Sequence, residues 1–240
     1  MITFSNLEKM GRLGNQLFQI ATTISLAIEN NDKYIFPNWK YSKYFNLNNC
    51  WGTISCDSKY VEPFFHYKKI ECKNYTNLDL FGYFQSSKYF ESNEYIIKSL
   101  LTPKIGYGLN DNTSIHVRRG DYVNLTNEYA QLDLNNYYNK AIESLSDDTE
   151  MFVIFSDDIN WCKNIFKGSK FIFSESGDEI EDFTKMISCK NNIIANSTFS
   201  WWAAYLNQHP EKNVIAPSKW FGPKLDHNTK DLIPKEWIII

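Results

Sequence analysis

Arginine is scarce in this sequence. Lysine and arginine together account for 25 of the 240 residues, yet arginine occurs only as Arg12, Arg118 and Arg119. A guanidinium presents a planar fork of donors that matches phosphate oxygens in pairs, which a lysine ammonium cannot do. Because two of the three arginines are adjacent, the sequence predicts a phosphate-binding loop. The alternative is a surface ion pair, which contributes little to stability.

Several metal-binding and nucleophile motifs are also missing. No Asp-x-Asp, G-x-S-x-G, G-x-x-x-x-G-K-[ST] or G-x-G-x-x-G occurs, and the four histidines lack ligand spacing. The sequence therefore predicts no metal site. The cysteines are five in number and form no C-x-x-C, so reduced thiols are expected rather than a disulfide framework or zinc ribbon; they are Cys50, Cys56, Cys72, Cys162 and Cys189.

The chain lacks a basic excess and a long hydrophobic run. A net charge of −3 argues against a general nucleic-acid binder. The first residues, MITFSNLEKMGRLGNQ, lack the basic and apolar regions of a signal peptide. The richest apolar run, FSWWAAYL, is far shorter than the ~20 residues that span a bilayer. We therefore expect a cytosolic protein, long enough for one large domain or two small ones.

Apolar strands alternate with helical periodicity, most regularly in the second half. This alternation is typical of a parallel, doubly wound sheet. In the first half, residues 38–80 show no clear period, and 102–112 has the composition of a linker. Strands are predicted at 2–5, 34–37, near 78–84, and at 113–117, 151–156, 170–173, 191–197 and 213–217. Helices are predicted from about 17 to 28, from Ser86, and near 134–146, 158–166, 179–188 and 199–207.

Polar motifs follow three of these strands directly. In doubly wound sheets, ligands bind beyond the carboxyl ends of the strands, where the strand order reverses. The segments His116–Asp121, Ser156–Asp158 and Ser197–Ser200 all fall at such ends. We therefore expect the three segments to converge on one site.

Each strand end has a ligand-binding and a structural interpretation. Arg118 and Arg119 should point to opposite faces, one entering the crevice and the other bracing the loop or meeting Asp121. The carboxylates of FSDD could accept hydrogen bonds from a guanine edge or from ribose hydroxyls, or one of them could cap the following helix. The hydroxyls and helix amides of NSTFSWW could bind a phosphate. Alternatively, its Ser or Thr could cap the helix that follows. The tryptophans that follow are expected in the core.

The letters Arg-Gly-Asp at 119–121 allow one different hypothesis, an adhesion or glycan-binding module. That function requires export, for which the sequence shows no signal. It also predicts that Gly120 lies at an exposed loop tip rather than beside a cleft. A nucleotide-sugar-binding protein without turnover is a third hypothesis.

Five segments, taken together, resemble a known family. GRLGNQLFQIA, YFQSSKYF, IHVRRGDYV, FSDDINWCKNIF and NIIANSTFSWWAAYLN resemble, in order and spacing, the bacterial α-1,2-fucosyltransferases of glycosyltransferase family 11. The Arg-Arg-x-Asp segment is more distantly similar to α-1,6- and protein O-fucosyltransferases. The resemblance covers most of the chain and is poor only over 38–80 and after Gly222.

The resemblance implies an α/β protein of the GT-B fold, with two Rossmann-like domains facing across a cleft. Residues 1–105 would form the acceptor-side domain and 106–240 the GDP-fucose-binding domain, with the C-terminal tail packing back on the first. The implied reaction is an inverting, metal-independent transfer of L-fucose from GDP-β-L-fucose to a galactose 2-hydroxyl, without a cofactor. Another acceptor or linkage is the alternative.

The implied setting is bacterial surface-polysaccharide or O-antigen assembly. The partners would be GDP-fucose and a galactoside glycan, with no nucleic acid. The enzyme would be cytoplasmic and peripheral to the inner membrane where its acceptor is lipid-linked.

The resemblance also implies roles for residues of the second half. Arg118 would bind the diphosphate, with Arg119 among the donor-binding residues, and His116 would lie near the nucleotide. Asp157 would read the guanine. The residues that would line the phosphate and sugar are Ser197, Thr198 and Phe199.

Arg12 and Asn15 would face the donor from the first domain, and Asp121 would stand near the fucose or brace the arginines. The resemblance does not supply a general base. The α-1,6 enzymes place a glutamate shortly after this segment, whereas here Thr126 stands at the matching offset and Glu128 two residues on. If the leaving group departs ahead of attack, Arg118 should matter more than any carboxylate.

Overall fold

Two parallel sheets organise the chain, one in each of two structural units. The computed structural model describes residues 1–71, 74–145, 147 and 149–240. The first unit comprises Met1–Lys104 and Asn228–Pro234, and the second comprises Ile105–His227 and Lys235–Ile240. The chain therefore leaves the second unit near its end, contributes one short segment to the first, and returns.

The first unit contains a four-stranded sheet in the order β2-β1-β4-β3. Its strands are β1 (Ile2–Thr3), β2 (Tyr34–Ile35), β3 (Ser58–Val61) and β4 (Leu78–Phe81). Its helices are α1 (Leu13–Glu29) and α2 (Glu94–Leu101), with single 3₁₀ turns at Ser42–Tyr44, Ser87–Tyr89 and Glu91–Asn93.

Two expectations for this unit need correction. The helix predicted from Ser86 is a pair of 3₁₀ turns, and the α-helix begins only at Glu94. The stretch 38–80, which has no clear period, contains β3. That strand is missed because its four residues, Ser58–Val61, alternate between half-buried and exposed at the edge of the sheet, so they carry no apolar run.

The second unit contains a six-stranded sheet in the order β10-β9-β8-β5-β6-β7. Its strands are β5 (Asn110–Val117), β6 (Phe152–Ser156), β7 (Phe171–Phe173), β8 (Cys189–Ile193), β9 (Val214–Ala216) and β10 (Ile238–Ile239). Its helices are α3 (Lys140–Leu145), α4 (Ile159–Ile165), α5 (Glu179–Ser188) and α6 (Thr198–Leu206). A 3₁₀ turn at Gly120–Asn124 and a π turn at Leu134–Asn139 follow β5.

The predicted alternation of strands and helices in this half is confirmed, with small differences at the ends. β5 begins at Asn110, inside the expected linker, and β10 was not anticipated. The core lies on both faces of β5, whose residues from Thr113 to Val117 are buried. Trp201 and Trp202 are fully buried, as expected, and Trp201 stacks on Tyr205 with ring centroids 4.9 Å apart.

Cys50, Cys56, Cys162 and Cys189 are free thiols, while Cys72 lies outside the described residues. Within the described ranges, no helix has both the length and the hydropathy needed to cross a bilayer. The cytoplasmic location stays a prediction.

Candidate active site

The three polar strand ends lie side by side at the carboxyl edge of the second sheet. In the strand order, β5 lies between β8 and β6, and all three strands are parallel. After β5, the chain adds β6 and then β7 on one side of β5. The later strands β8, β9 and β10 lie on its other side. The boundary between β5 and β8 is therefore the point at which the strand order reverses, where doubly wound sheets bind their ligands.

Arg118 is held between two carboxylates. One terminal nitrogen pairs with Asp121, and Nη1 lies 2.6 Å from Oδ2 of Asp157. The guanidinium also lies 5.2 Å from the ring centroid of Tyr122, and only 15% of the side chain is exposed. The fork is therefore oriented before any ligand arrives, and an anionic ligand would compete with a carboxylate for it.

Asp157 organises the loop after β5. Its Oδ1 accepts hydrogen bonds from the backbone N–H groups of Arg119 (2.9 Å) and Gly120 (3.2 Å), while Oδ2 faces Arg118. Both oxygens thus have partners within the loop. The assignment of Asp157 to guanine stays a prediction, and the structure adds a positioning role that the sequence did not reveal.

Arg119 points to a different neighbour. Its Nε donates to Oδ2 of Asp158 at 3.1 Å, and its guanidinium stacks 3.9 Å from the ring centroid of Trp161 on α4. Oδ1 of Asp158 accepts from the backbone N–H of Trp161 and so caps α4. The structural interpretation of FSDD therefore applies to Asp158, and Arg119 fastens the loop to α4.

His116 is buried at the end of β5. Its Nδ1 lies 2.8 Å from Oγ of Ser200, and its ring centroid lies 5.6 Å from that of Phe199. Burial lowers the pKa of His116 to about 4, so the ring is neutral at pH 7. A neutral imidazole can donate or accept a hydrogen bond toward a ligand without adding charge.

The third strand end is the start of α6. The hydroxyl of Ser197 accepts from the backbone N–H of Phe199 at 3.4 Å and caps the helix, as one interpretation of NSTFSWW predicted. Ser197 is buried, while Thr198 and Phe199 are half-buried. The first amides of a nine-residue helix therefore stand at the edge that also carries Arg118.

Arg12 and Asn15 belong to the first unit. Arg12 is exposed and directly precedes α1. Oδ1 of Asn15 accepts a 2.8 Å hydrogen bond from Nε2 of Gln85. Gly11 has a φ of +77°, and a Cβ there would lie 2.2 Å from Nδ2 of Asn15. The glycine before Arg12 is thus needed for both the turn and the close approach, and the roles of Arg12 and Asn15 toward a donor stay predictions.

Glu128, the other carboxylate considered as a base, is engaged elsewhere. It lies 2.6 Å from Nζ of Lys224, and that hydrogen bond lowers the pKa of Glu128. Its backbone carbonyl accepts from the N–H of Gly222. A carboxylate with a lowered pKa is a weaker base, so Glu128 is better suited to fastening two segments together.

Asn196 was missed by the sequence analysis. It is buried after β8, and its Nδ2 donates to the carbonyl oxygens of Ala130 (3.0 Å) and Trp220 (2.8 Å). One amide thus joins the loop after β5 to the segment after β9. The available signal was an asparagine directly after the apolar residues IIA, since a buried amide requires partners.

No group of three or more His, Cys, Asp or Glu side chains in the described ranges is arranged to hold a metal ion. Independence from metal and from any cofactor stays a prediction.

With this geometry in place, comparison with known proteins assigns the family. The model of glycosyl transferase family 11 matches residues 3–240. The chain belongs to this family. The resemblance of the five segments is thereby confirmed, and it extends over 38–80 and the tail after Gly222, which had looked poorly covered.

Two relatives of this family 11 enzyme are proteins of Escherichia coli. The O-antigen biosynthesis glycosyltransferase WbnK is 34% identical, over 76% of this chain and 66% of its own length. An α-1,2-colitosyltransferase is 28% identical, over 96% of each chain. The expectation of an enzyme of the family that contains the bacterial α-1,2-fucosyltransferases is confirmed.

A solved structure of the fucosyltransferase NodZ from Bradyrhizobium is similar in fold. The TM-score is 0.51 at 10% sequence identity, and the match covers 84% of this chain and 92% of NodZ. At that identity the likeness concerns the fold alone. The predicted α/β class, GT-B with two Rossmann-like units, is confirmed.

Proposed function

We propose that this enzyme transfers L-fucose from GDP-β-L-fucose to the 2-hydroxyl of a galactose in a glycan, with inversion and without a metal ion. The observation that carries the proposal is the oriented guanidinium of Arg118 at the switch point of the sheet, next to the start of α6. The names of the family 11 relatives support the α-1,2 linkage and a role in O-antigen assembly.

The reaction breaks the bond between the fucose anomeric carbon and a β-phosphate oxygen. A new bond forms from that carbon to the acceptor oxygen, the hydroxyl proton leaves, and the departing GDP gains one negative charge. Donors aimed at the place where charge develops are worth most in the transition state. In this enzyme those donors are the Arg118 fork and the first amides of α6.

The two carboxylates that hold Arg118 differ in how firmly they are held. Asp157 also accepts two backbone hydrogen bonds, and its side chain is 28% exposed, against 45% for Asp121. A diphosphate should therefore displace Asp121 from the fork, while Asp157 keeps the guanidinium oriented. The released Asp121 carboxylate is then the better candidate for the hydroxyl proton, and Glu128 the weaker one.

The experiment measures GDP release from GDP-fucose with lactose, N-acetyllactosamine and other galactosides, with and without EDTA. Arg118→Ala serves as the matched inactive control. We expect release that depends on the acceptor and is unaffected by EDTA, and an α-1,2 linkage in the NMR spectrum of the product. No release with any galactoside, together with no GDP binding by calorimetry, would refute the proposal. GDP binding without release would instead favour a binding protein without turnover.

A second candidate donor follows from the relative that matches 96% of the chain, which is named a colitosyltransferase. Colitose lacks the 3-hydroxyl of L-fucose, so both nucleotide sugars offer the same diphosphate to Arg118. Running the assay with GDP-colitose as well as GDP-fucose decides between them: a higher kcat/KM identifies the preferred donor.

The acceptor's carrier and the location belong to the same proposal. A lipid-linked glycan would bring the enzyme to the cytoplasmic face of the inner membrane without a membrane-spanning helix. Co-sedimentation with vesicles that carry a lipid-linked galactoside, compared with vesicles that lack it, tests this point.

A further inference from the structure

A cavity of about 480 Å³ lies within the second unit, at the carboxyl edge of its sheet. One wall is formed by residues between 126 and 137, from the loop that follows β5, and the other by residues 217–223, which follow β9. The volume falls within the range of about 300–1,000 Å³ that is usual for small-molecule sites.

The lining combines polar and apolar side chains and carries no net charge. Asp133 and Lys219 contribute one charge of each sign. The amide nitrogen of Gln131 donates to the carbonyls of Tyr122 and Tyr129, and that of Asn136 to Asp133, so these amides are held in place and offer their oxygens as acceptors. Phe221 supplies an aromatic ring. The arginines that suit a diphosphate are absent from this lining, so the cavity fits a neutral ligand with many hydroxyl groups, which is the chemistry of a sugar.

Backbone hydrogen bonds fix the two walls to each other. The N–H of Gly222 donates to the carbonyl of Glu128 at 2.9 Å, and the N–H of Lys224 donates to that of Asn127 at 2.8 Å. A Cβ on Gly222 would lie 2.5 Å from the carbonyl oxygen of Asn127. With the buried amide of Asn196 bridging the same segments, the cavity is formed before a ligand binds, which lowers the entropic cost of binding.

The cavity and the arginines share one loop and one edge. The segment that carries Arg118 and Asp121 runs directly into the wall at 126–137. In the strand order, β9 is two positions from β5, which corresponds to about 10 Å. A glycan whose galactose reacts near Arg118 could place a sugar further along its chain at that distance.

We propose that this cavity is an acceptor subsite that binds a sugar of the glycan chain, a role that depends on the proposed function. The sugar stacks against Phe221 and exchanges hydrogen bonds with the amides and the carboxylate of the lining. The subsite lies in the unit that carries the donor-binding residues, so acceptor specificity does not rest on the first unit alone.

The test fills the cavity by Ser218→Trp. Ser218 is exposed and lines the cavity, and its backbone hydrogen bond to Ile240 survives the substitution. The matched control is Ser169→Trp, an exposed turn position before β7 at the opposite edge of the sheet. Thr126→Trp, on the other wall, repeats the test if Ser218→Trp does not fold, as judged by circular dichroism.

Two measurements are made on each variant. Saturation-transfer NMR in the presence of GDP reports binding of a panel of galactosides that includes lactose and N-acetyllactosamine, and steady-state kinetics reports KM for each substrate. We expect the cavity variant to lose the NMR signal and to raise the acceptor KM by about tenfold or more, with the GDP-fucose KM unchanged. The control should match the unmodified enzyme.

An unchanged acceptor KM, or equal saturation transfer in the cavity variant and the unmodified enzyme, overturns the subsite. A rise confined to the GDP-fucose KM also overturns it, because the cavity would then belong to the donor. If glycan binding is lost in the variant while the unmodified enzyme transfers no fucose, the subsite stands and the proposed donor fails.

Discussion

Gly120 and Asp157 approach so closely that a side chain on Gly120 would displace the Asp157 carboxylate. A Cβ on Gly120 would lie 2.4 Å from Oδ2 of Asp157, the oxygen that faces Arg118. Gly120 is not among the glycines with positive φ, so a side chain there is disfavoured by this contact rather than by the backbone conformation. Gly120 is exposed, and its contact with Asp157 gives the glycine of Arg-Gly-Asp a structural role in the loop.

Gly120→Ala should therefore impair the enzyme more than it destabilises the fold. The added methyl group pushes the Asp157 carboxylate away from Arg118 and from the backbone N–H groups that donate hydrogen bonds to it. We expect kcat/KM to fall by about tenfold or more, with a stability loss of about 1–3 kcal/mol. Gly106→Ala, where nothing lies within 4 Å, is the control. Equal kinetics for the two variants would show that the contact is relieved without consequence.

Arg118→Lys should reduce turnover while the fold is kept, because the charge remains and the fork is lost. We expect kcat to fall about 10²–10³-fold, the range for loss of a donor to a developing anion. Arg119→Lys is the natural comparison, since Arg119 stacks on Trp161 and should act through the position of the loop. Steady-state kinetics of both variants, with circular dichroism as the check on folding, tests this. Near-normal turnover in Arg118→Lys would refute the diphosphate role.

The sequence predicts most of the second sheet because strands such as β6 and β9 are apolar runs next to segments with helical periodicity. The strand ends, and with them Arg118, Asp157 and Ser197, follow from that pattern. The pairing of Arg118 with Asp157 and the bridge made by Asn196 could not be predicted, because each joins segments far apart in the chain. β3 and β10 were missed since each is short and partly exposed.

Asn196→Ala should destabilise the second unit. Asn196 is 2% exposed, and its removal leaves the carbonyl groups of Ala130 and Trp220 without their amide donor. The expected loss is about 1–3 kcal/mol in the free energy of unfolding by urea. Asn164→Ala, at an exposed position of α4, should change it by no more than about 0.5 kcal/mol. Equal losses would mean that the bridge contributes little.

Glu62, in the first unit, should make stability depend on pH near neutrality. Its carboxylate accepts from the backbone N–H groups of Tyr83 (2.7 Å) and Phe84 (3.0 Å), and burial raises the pKa of Glu62 from 4.5 to about 7. Because the folded pKa is the higher one, its stabilisation is present below pH 4.5 and is lost as pH rises through 7. The pKa shift of Glu62 corresponds to about 3 kcal/mol in the free energy of unfolding. In urea unfolding, the stability of the unmodified enzyme relative to Glu62→Gln should therefore fall between pH 4.5 and 8, and a difference that stays constant with pH would contradict the prediction.

His116 should act in the opposite direction. Burial lowers its pKa from 6.5 to about 4, so the unfolded chain binds the proton more readily and stability is lost as pH falls from 6.5 towards 4. Between about pH 4.5 and 6.5 the effects of His116 and Glu62 therefore oppose each other, and the unmodified enzyme should show a nearly flat profile. His116→Gln removes the contribution of the histidine, so the free energy of unfolding should increase as pH falls. In Glu62→Gln it should decrease as pH falls. Parallel profiles for the two single variants would contradict this opposition, and the double variant, measured in the same urea series, should be flat again.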